Sequence, residues 1–180
     1  MKKYIALLRG INVSGQKKIK MADLKNLFEQ LGFTNVITYI QSGNVIFSSK
    51  MSNKEEIVSK IQQAIEKQFS FIVPTIIITD KELENTIDSF PYSDVDILEN
   101  QTTLLISFLD RDLKKASLEE IEQYKAYSER IEINNSILYL YCPNGYGKSK
   151  LTNTFLEKKL DVVATTRNIK TVLKLKELCS

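Results

Sequence analysis

Apolar and polar positions follow two periods along the chain, and these periods divide it into short strands and amphipathic helices. An apolar run at Tyr4–Leu8 predicts a buried first strand. Apolar residues at helical spacing between Leu24 and Leu31 then predict a helix that ends at Gly32. The chain therefore begins with a strand followed by a helix.

The first half of the chain continues with a predicted hairpin, a helix and a strand. These elements are strand Val36–Ile40, turn Gln41–Asn44, strand Val45–Ser48, a helix around Ile57–Ile65 and strand Pro74–Thr79. Thr79 and Glu82 have the spacing of a capping box, which predicts a short helix after the last strand.

The same order of elements returns roughly 90 residues later, which predicts an internal duplication although residue identities do not repeat. The second set comprises strand Thr103–Leu109, a helix opened by a Ser117/Glu120 capping box, a hairpin of Arg130–Ile133 and Ile137–Tyr141 turning at Asn134 and Asn135, a helix from about Ser149 to Lys159, strand Asp161–Thr165, and a last helix carrying Ile169 to Leu178.

Each half thus has the order β-α-β-β-α-β plus a helix, which is the split βαβ or ferredoxin-like motif. The predicted fold class is α+β, with two tandem ferredoxin-like units, each an antiparallel sheet of strand order 4-1-3-2. Residues 91–100 break both periods with Pro91 and several aspartates. We therefore expect a first unit at 1–90, a linker at 91–100 and a second unit at 101–180.

Antiparallel topology sorts the connecting loops by the end of the sheet at which they lie. In the first unit, the long connection after strand one should lie beside the hairpin turn. This end collects candidate ligand-binding residues Arg9, Asn12, Gln41, Ser42 and Asn44. A solvated loop whose glycines serve only the backbone is the alternative interpretation.

In the second unit, the run PNGYGKSK after strand three should lie beside the run TTRN after strand four. Both runs are predicted to open helices, whose first amides and positive dipole ends attract anions. The candidate ligand-binding residues here are Lys148, Ser149, Lys150, Arg167 and Asn168. The alternative is that Ser149 and Thr166 cap their helices and the cations face water.

The stretch Ile137–Leu151 resembles a nucleotide-binding phosphate loop, with a strand, a glycine-bearing loop and then Lys148 and Ser149. Cys142 stands where the first glycine of that motif belongs. The predicted strand is also antiparallel to its neighbour, whereas the motif occurs in parallel sheets. The sequence therefore disfavours a nucleotide-hydrolysing enzyme and leaves an anion site as the hypothesis.

Composition narrows the chemistry further. The 180 residues include no histidine, which excludes Ser-His-Asp and Cys-His catalysis and the HExxH zinc motif. Cys142 and Cys179 lack Cys-x-x-Cys spacing and are expected to be free thiols. We predict no metal site, and no catalytic residue or cofactor can be assigned. No apolar run is long enough to span a bilayer or serve as a secretory signal, so a cytoplasmic location is expected.

Charge is polarised along the chain although the net charge is only +3. Residues 1–79 carry +6, residues 80–132 carry −8, and residues 133–180 carry +5. The basic outer segments fit an anionic ligand, although solvated lysines that only maintain solubility give the same pattern. Aromatic residues on the candidate central strands, Tyr4, Phe47, Tyr139 and Tyr141, suggest an RNA-binding face, but core packing is favoured for them.

The chain carries four ordered motifs: RGINVSG (Arg9 to Gly15), TYIQSGNVIF (Thr38 to Phe47), NGYGKSKL (Asn144 to Leu151) and ATTRNIKTVLKL (Ala164 to Leu175). Together they resemble one bacterial family, domain-of-unknown-function 1697. The resemblance implies an α+β fold of two ferredoxin-like units and no established activity. Two positions depart from the family pattern: Ser14 replaces a glycine, and Ile169 replaces a tryptophan.

The leading hypothesis is a cytoplasmic module of otherwise unknown function that binds a phosphate-bearing small molecule or a nucleic acid at helix N-termini. One alternative is an enzyme that acts on a phosphorylated metabolite, with lysine or tyrosine as its acid or base. Another is a protein-interaction module in which acidic residues 80–132 meet a basic partner or a second copy. The sequence does not indicate the oligomeric state.

Overall fold

A computed structural model describes all residues from 1 to 180. The chain forms eight strands and six α-helices. In order these are β1 (Lys2–Leu8), α1 (Met21–Gln30), β2 (Thr34–Tyr39), β3 (Asn44–Ser49), α2 (Lys54–Phe69), β4 (Thr75–Thr79), α3 (Asp80–Asp88), β5 (Leu104–Leu109), α4 (Lys115–Glu122), β6 (Arg130–Asn134), β7 (Ile137–Tyr141), α5 (Asn153–Leu160), β8 (Ala164–Asn168) and α6 (Ile169–Cys179).

The strands form two antiparallel sheets of the same topology, with orders β2-β3-β1-β4 and β6-β7-β5-β8. The central pairs align Ile5 with Ile46 in the first sheet and Ile106 with Tyr139 in the second. This confirms the predicted fold class of two tandem ferredoxin-like units. The chain divides into two compact units, one of Met1–Glu84 with Leu175–Ser180 and one of Asn85–Lys174. Residues 91–100, the predicted linker, lie in the second of these units.

The core of the first unit lies between its sheet and helices α1 and α2. Tyr4 and Phe47 are neighbours across β1 and β3, and their ring centroids are 5.8 Å apart. Phe28 from α1 and Phe33 pack edgewise or tilted against Phe47, at 5.3 and 4.5 Å between centroids. These rings are buried, which confirms that Tyr4 and Phe47 are core residues.

The core of the second unit joins its sheet to helices α4 and α5 through Ile121 and Leu156, both fully buried. On the opposite face of the sheet, Tyr139 is also buried, and its hydroxyl donates to the carbonyl oxygen of Thr86 at 2.8 Å. Tyr92 donates to the carbonyl oxygen of Tyr139 at 2.9 Å. Tyr139 is therefore a core residue, as predicted.

The predicted capping box at the start of α3 is present. Glu82 N–H donates to Thr79 Oγ1 at 3.1 Å, and Thr79 N–H donates back to the Glu82 carboxylate at 2.8 Å. Lys54 pairs with the same carboxylate. Burial alone would raise the pKa of the Glu82 carboxyl group. The hydrogen bonds and the Lys54 charge outweigh that effect, so the pKa is lowered.

Three predicted boundaries in the second unit are wrong. Helix α4 begins at Lys115, so Ser117 lies inside it and the Ser117/Glu120 pair does not cap it. Helix α5 begins at Asn153, and Thr152 caps it because its Oγ1 accepts a hydrogen bond from Phe155 N–H at 3.3 Å. Strand β8 runs from Ala164 to Asn168, because Asp161 turns the chain in a left-handed conformation at the end of α5. The run TTRN is consequently strand and not a helix-opening loop.

Candidate functional site

The connection between β1 and α1 is a basic loop, residues Arg9–Lys20, that is folded back on itself. It carries Arg9, Lys17, Lys18 and Lys20, and no acidic residue. Val13 and Gln16 form an isolated β-bridge, closed by a hydrogen bond of 3.0 Å from Gln16 N–H to the Val13 carbonyl oxygen. The loop is therefore a miniature hairpin.

The backbone of the basic loop uses the left-handed region repeatedly. Asn12, Ser14 and Lys17 have φ angles of 56°, 49° and 44°, and Gly10 and Gly15 have φ angles of 74° and 76°. Ser14 and Gly15 are consecutive left-handed residues between the bridged Val13 and Gln16, as in the two-residue turn of a β-hairpin. Such conformations cost energy in residues other than glycine and are concentrated at functional sites.

Asn12 fixes the basic loop in place through its side-chain amide. Its Oδ1 accepts from Ile19 N–H at 2.9 Å, and its Nδ2 donates to the carbonyl oxygens of Ile19 and Gln41, both at 2.9 Å. The bond to Gln41 joins the loop to the β2–β3 turn. The predicted proximity of the loop and the turn is thus confirmed, and Asn12 is a positioning residue that uses both of its amide hydrogens.

The β2–β3 turn is packed directly against the end of β1. Leu8 N–H donates to the carbonyl oxygen of Gly43 at 2.8 Å. A Cβ on Gly43 would lie 2.8 Å from both Leu8 Cβ and Ile11 Cδ1, so that only glycine fits there. Asn44 is fully buried, and its Nδ2 donates to the Tyr39 carbonyl oxygen and to Ser42 Oγ at 3.0 and 3.1 Å. The Gln41 side chain is exposed beside this framework.

The cations of the basic loop fall into two groups. Arg9 is half-buried, and Lys17 donates to the carbonyl oxygen of Ile72 at 2.8 Å. Lys18 and Lys20 are exposed and form no ion pair. Lys20 occupies the N-cap of α1 without a capping hydrogen bond from its side chain, so the first amides of that helix receive no protein side chain there. Two exposed cations thus stand at an uncapped helix start.

In the second unit, the loop after β7 does meet strand β8, through the hydroxyl of Thr166. Thr166 Oγ1 donates to Asn153 Oδ1 at 2.6 Å, so its remaining bonds must be accepted ones. Ser107 Oγ lies 2.6 Å away and donates to it, as does the Tyr146 hydroxyl at 3.3 Å. No local pattern predicts this network, because Ser107 and Thr166 are 59 residues apart in the chain.

The candidate ligand-binding residues of the second unit lie in different environments, some exposed and some used in local hydrogen bonds. Lys148 ends a 3₁₀ turn, and both Lys148 and Lys150 are exposed. Ser149 is buried, and its hydroxyl accepts from Leu151 N–H at 3.0 Å instead of capping a helix. Asn168 caps α6 by accepting from Thr171 N–H at 2.9 Å. Both helices that follow these loops therefore begin with a protein cap.

Arg167 lies on the face of the second sheet opposite to Thr166. It is aligned with Ile106, whereas Thr166 is aligned with Ser107, and successive strand residues point to opposite faces. Arg167 is buried, and one guanidinium nitrogen donates to Thr165 Oγ1 and to the Thr166 carbonyl oxygen at 2.8 and 2.9 Å.

Burial is the main cause of the raised pKa values of the Cys142 thiol and the Tyr139 hydroxyl in the second unit. It raises the pKa of the Cys142 thiol to about 12, with the nearby Glu129 carboxylate adding to the effect. Burial likewise raises the pKa of Tyr139 to about 12. A thiol with this pKa is protonated at neutral pH and is a poor nucleophile. Both cysteines are free, as predicted, and no group of three or more Cys, Asp or Glu side chains is placed to hold a metal ion.

The model of a protein family of unknown function, DUF1697, matches residues 1–139. The chain belongs to this family. The match includes the basic loop and the β2–β3 turn, which carry the RGINVSG and QSGNV motifs. It confirms the resemblance seen in the sequence, and it assigns no activity to the DUF1697 protein.

A solved structure supports the fold of this DUF1697 protein. The conserved bacterial protein SP0830 from Streptococcus pneumoniae is similar over 99% of each chain, with a TM-score of 0.77 and 24% sequence identity. At this identity the likeness shows the fold alone. No functionally curated protein matches the chain. None of its helices has the length and apolar character required to cross a bilayer.

Proposed function

We propose that this DUF1697 protein binds a phosphate-bearing ligand, a small molecule or a nucleic acid, through the basic loop of its first unit. The observation that carries the proposal is the pair of exposed, unpaired lysines, Lys18 and Lys20, at the uncapped start of α1. A phosphate placed there would meet two cations and the first amides of α1, whose first turn also carries the carboxylate of Asp23.

The rigidity of the loop supports the same proposal. Asn12 and Gly43 hold the loop and the turn together before any ligand arrives, so that binding would not have to order them. Preorganisation of this kind raises affinity because less conformational entropy is lost on association. Arg9, Gln41, Ser42 and Asn44 form the surrounding framework, with Gln41 as the exposed polar side chain.

The second-unit residues fit an anion less well than the basic loop does. Thr152 and Asn168 already cap α5 and α6, so a bound anion is not needed to satisfy those helices. Lys148 and Lys150 supply only exposed charge. The function is therefore assigned to the first unit, and Lys148, Ser149, Lys150, Arg167 and Asn168 become the second set to test.

The experiment measures binding of fluorescent ATP, a phosphosugar and a short single-stranded RNA at low and moderate salt. We expect Lys18→Ala/Lys20→Ala to weaken binding at least tenfold. Lys2→Ala/Lys50→Ala, which removes two exposed lysines at the other end of the same sheet, is the matched control and should bind like the parent. Loss in Lys148→Ala/Lys150→Ala alone would move the site to the second unit. Absence of binding to every probe would overturn the proposal.

We also infer a cytoplasmic, bacterial protein that arose by internal duplication. Two buried free thiols without a disulfide suit a reducing compartment. The like order of strands in the two sheets supports duplication. Fractionation of the cells that produce the protein tests its location.

A further inference from the structure

Three large aliphatic side chains are exposed around the basic loop. Val13, Ile40 and Ile72 are 57%, 45% and 60% exposed, and they come from three separate connections of the first unit. Exposed apolar residues scattered singly need no explanation, but a group of them marks a contact surface. These three are therefore considered together with the lysines beside them.

Hydrogen bonds of the basic loop bring these three residues to one end of the unit. Asn12, which precedes Val13, binds the carbonyl oxygen of Gln41, which follows Ile40. Lys17 binds the carbonyl oxygen of Ile72 itself, and Asn12 N–H donates to the Lys17 carbonyl oxygen at 3.2 Å. We call Val13, Ile40 and Ile72, together with Lys18 and Lys20, the apolar–basic rim.

The backbone at Ile40 is strained in a way that its own packing does not explain. Its φ angle is 50°, and a β-branched residue is a clear outlier in the left-handed region. The side chain is not buried in return for this cost. Backbone strain of this kind is concentrated at functional sites.

We propose that the apolar–basic rim docks on the surface of an anionic lipid bilayer, an inference that rests on the proposed function and names the source of the phosphate. The lysines would contact headgroup phosphates while the three aliphatic side chains enter the interface, a combination of charge attraction and apolar burial. The loop itself carries no acidic residue, and Asp23 in the first turn of α1 is the acidic residue nearest to it along the chain.

The chemistry of the rim favours lipid over nucleic acid. Single-stranded nucleic acids are held by aromatic side chains on which bases stack. The basic loop contains no aromatic residue, and all three exposed apolar side chains of the rim are branched aliphatics. Such side chains have an apolar surface suited to acyl chains and no ring on which a base would stack.

The test is co-sedimentation of the full chain with vesicles of phosphatidylcholine alone or mixed equally with phosphatidylglycerol. We expect binding to the anionic vesicles only. Lys18→Ala/Lys20→Ala should weaken it on the order of 25-fold, from roughly fivefold per lysine. Val13→Ser/Ile40→Ser/Ile72→Ser should weaken it at least tenfold. Leu98→Ser, which removes a 76% exposed leucine from the second unit, is the matched control and should bind like the parent.

Binding of ATP and short RNA by the same variants separates this inference from the proposed function. The triple serine variant should keep its binding to soluble phosphates and should unfold at a midpoint no lower than that of the parent, while it loses vesicle binding. Failure of the parent protein to sediment with anionic vesicles, or equal sedimentation of the triple variant, would overturn the lipid inference even if ATP or RNA still binds. Loss of RNA binding in the triple variant without any vesicle binding would show a nucleic-acid surface instead.

Discussion

The side-chain nitrogen of Asn12 lies 2.9 Å from the carbonyl oxygen of Gln41, and this bond joins the two connections at one end of the first sheet. The two residues are 29 positions apart and belong to different motifs. Because Asn12 also binds Ile19 through both its donor and its acceptor, one side chain sets the shape of the basic loop and its distance from the β2–β3 turn.

Replacement of Asn12 should destabilise the first unit and weaken phosphate binding together. Asn12→Asp keeps the acceptor for Ile19 N–H but loses the donors to two carbonyl oxygens and places negative charge beside them. We expect a loss of about 2–3 kcal/mol in the free energy of unfolding by urea. Gln16→Ala, an exposed residue of the same loop, is the control; equal stability of Asn12→Asp and the parent would contradict the assigned role.

Gly43 should be far more sensitive to alanine than another glycine with the same backbone conformation. Gly43 and Gly32 have φ angles of 79° and 82°, but only Gly43 has atoms within 4 Å of an added Cβ. Gly32→Ala should therefore lower the free energy of unfolding by about 1 kcal/mol, which is the cost of the left-handed backbone alone. Gly43→Ala should cost about 3 kcal/mol, because the contacts with Leu8 and Ile11 add to that.

Both glycine variants are compared by urea unfolding monitored by circular dichroism. A Gly43→Ala variant no less stable than Gly32→Ala would show that the turn moves away from β1 at little cost. In that case the β2–β3 turn would not be the fixed partner of the basic loop.

Relief of backbone strain at Ile40 should raise stability and lower vesicle binding at the same time. Asparagine tolerates the left-handed region better than a β-branched residue does, so Ile40→Asn should raise the free energy of unfolding by about 1 kcal/mol. The same change removes an aliphatic side chain from the rim. Thermal unfolding and vesicle sedimentation measure the two effects. Ile37→Asn, a 40% exposed isoleucine without a left-handed backbone, is the matched control and should not be stabilised.

Thr166 should be the most sensitive polar residue of the second unit. Thr166→Val preserves the shape but deprives Ser107, Asn153 and Tyr146 of their common partner. The loss of these hydrogen bonds should lower the free energy of unfolding by about 2–3 kcal/mol. Thr166→Ser keeps the hydroxyl and should lose less than about 1 kcal/mol. Urea unfolding of the two variants decides the matter, and a valine variant as stable as the serine variant would contradict the network.

Stability should fall as the pH rises above about 9, in part because of Cys142. Burial raises the pKa of this thiol from 9.0 in the unfolded chain to about 12 in the fold. Between these values the unfolded chain releases a proton that the folded chain keeps, so each pH unit favours unfolding by up to about 1.4 kcal/mol. This contribution is complete below pH 9 and is lost as the pH rises toward 12.

The pH dependence is measured by urea unfolding of the parent and of Cys142→Ala from about pH 8 to about pH 10.5. The parent should lose stability more steeply than the variant over that interval, since other groups that titrate there are common to both. Slow alkylation of the native thiol by iodoacetamide at pH 8 supports the same conclusion. Parallel curves for the two proteins would show that Cys142 ionises equally in both states.

The local patterns of the sequence predicted most of the secondary structure, and they failed where two signals competed. The Thr79/Glu82 pair was a genuine capping box because it lay between a strand and a helix, whereas Ser117/Glu120 had the same spacing inside a helix that starts at Lys115. The sequence predicts that helix α5 begins at about Ser149, which is too early, because Ser149 resembles a cap. Its hydroxyl instead accepts from Leu151 N–H, while Thr152 begins the helix.

The sequence by itself determined the order of elements, the sheet topology and, in the first unit, the end at which the long loop and the hairpin turn lie, because periodicity and the antiparallel rule are properties of neighbouring residues and of short connections. It also identified the family through its motifs. Only the tertiary structure decided that Asn12 is a positioning residue, that Arg167 and Thr166 face opposite sides, and that Val13, Ile40 and Ile72 share one rim. Those relationships depend on strand register and on hydrogen bonds between residues far apart in the chain, which no local pattern encodes.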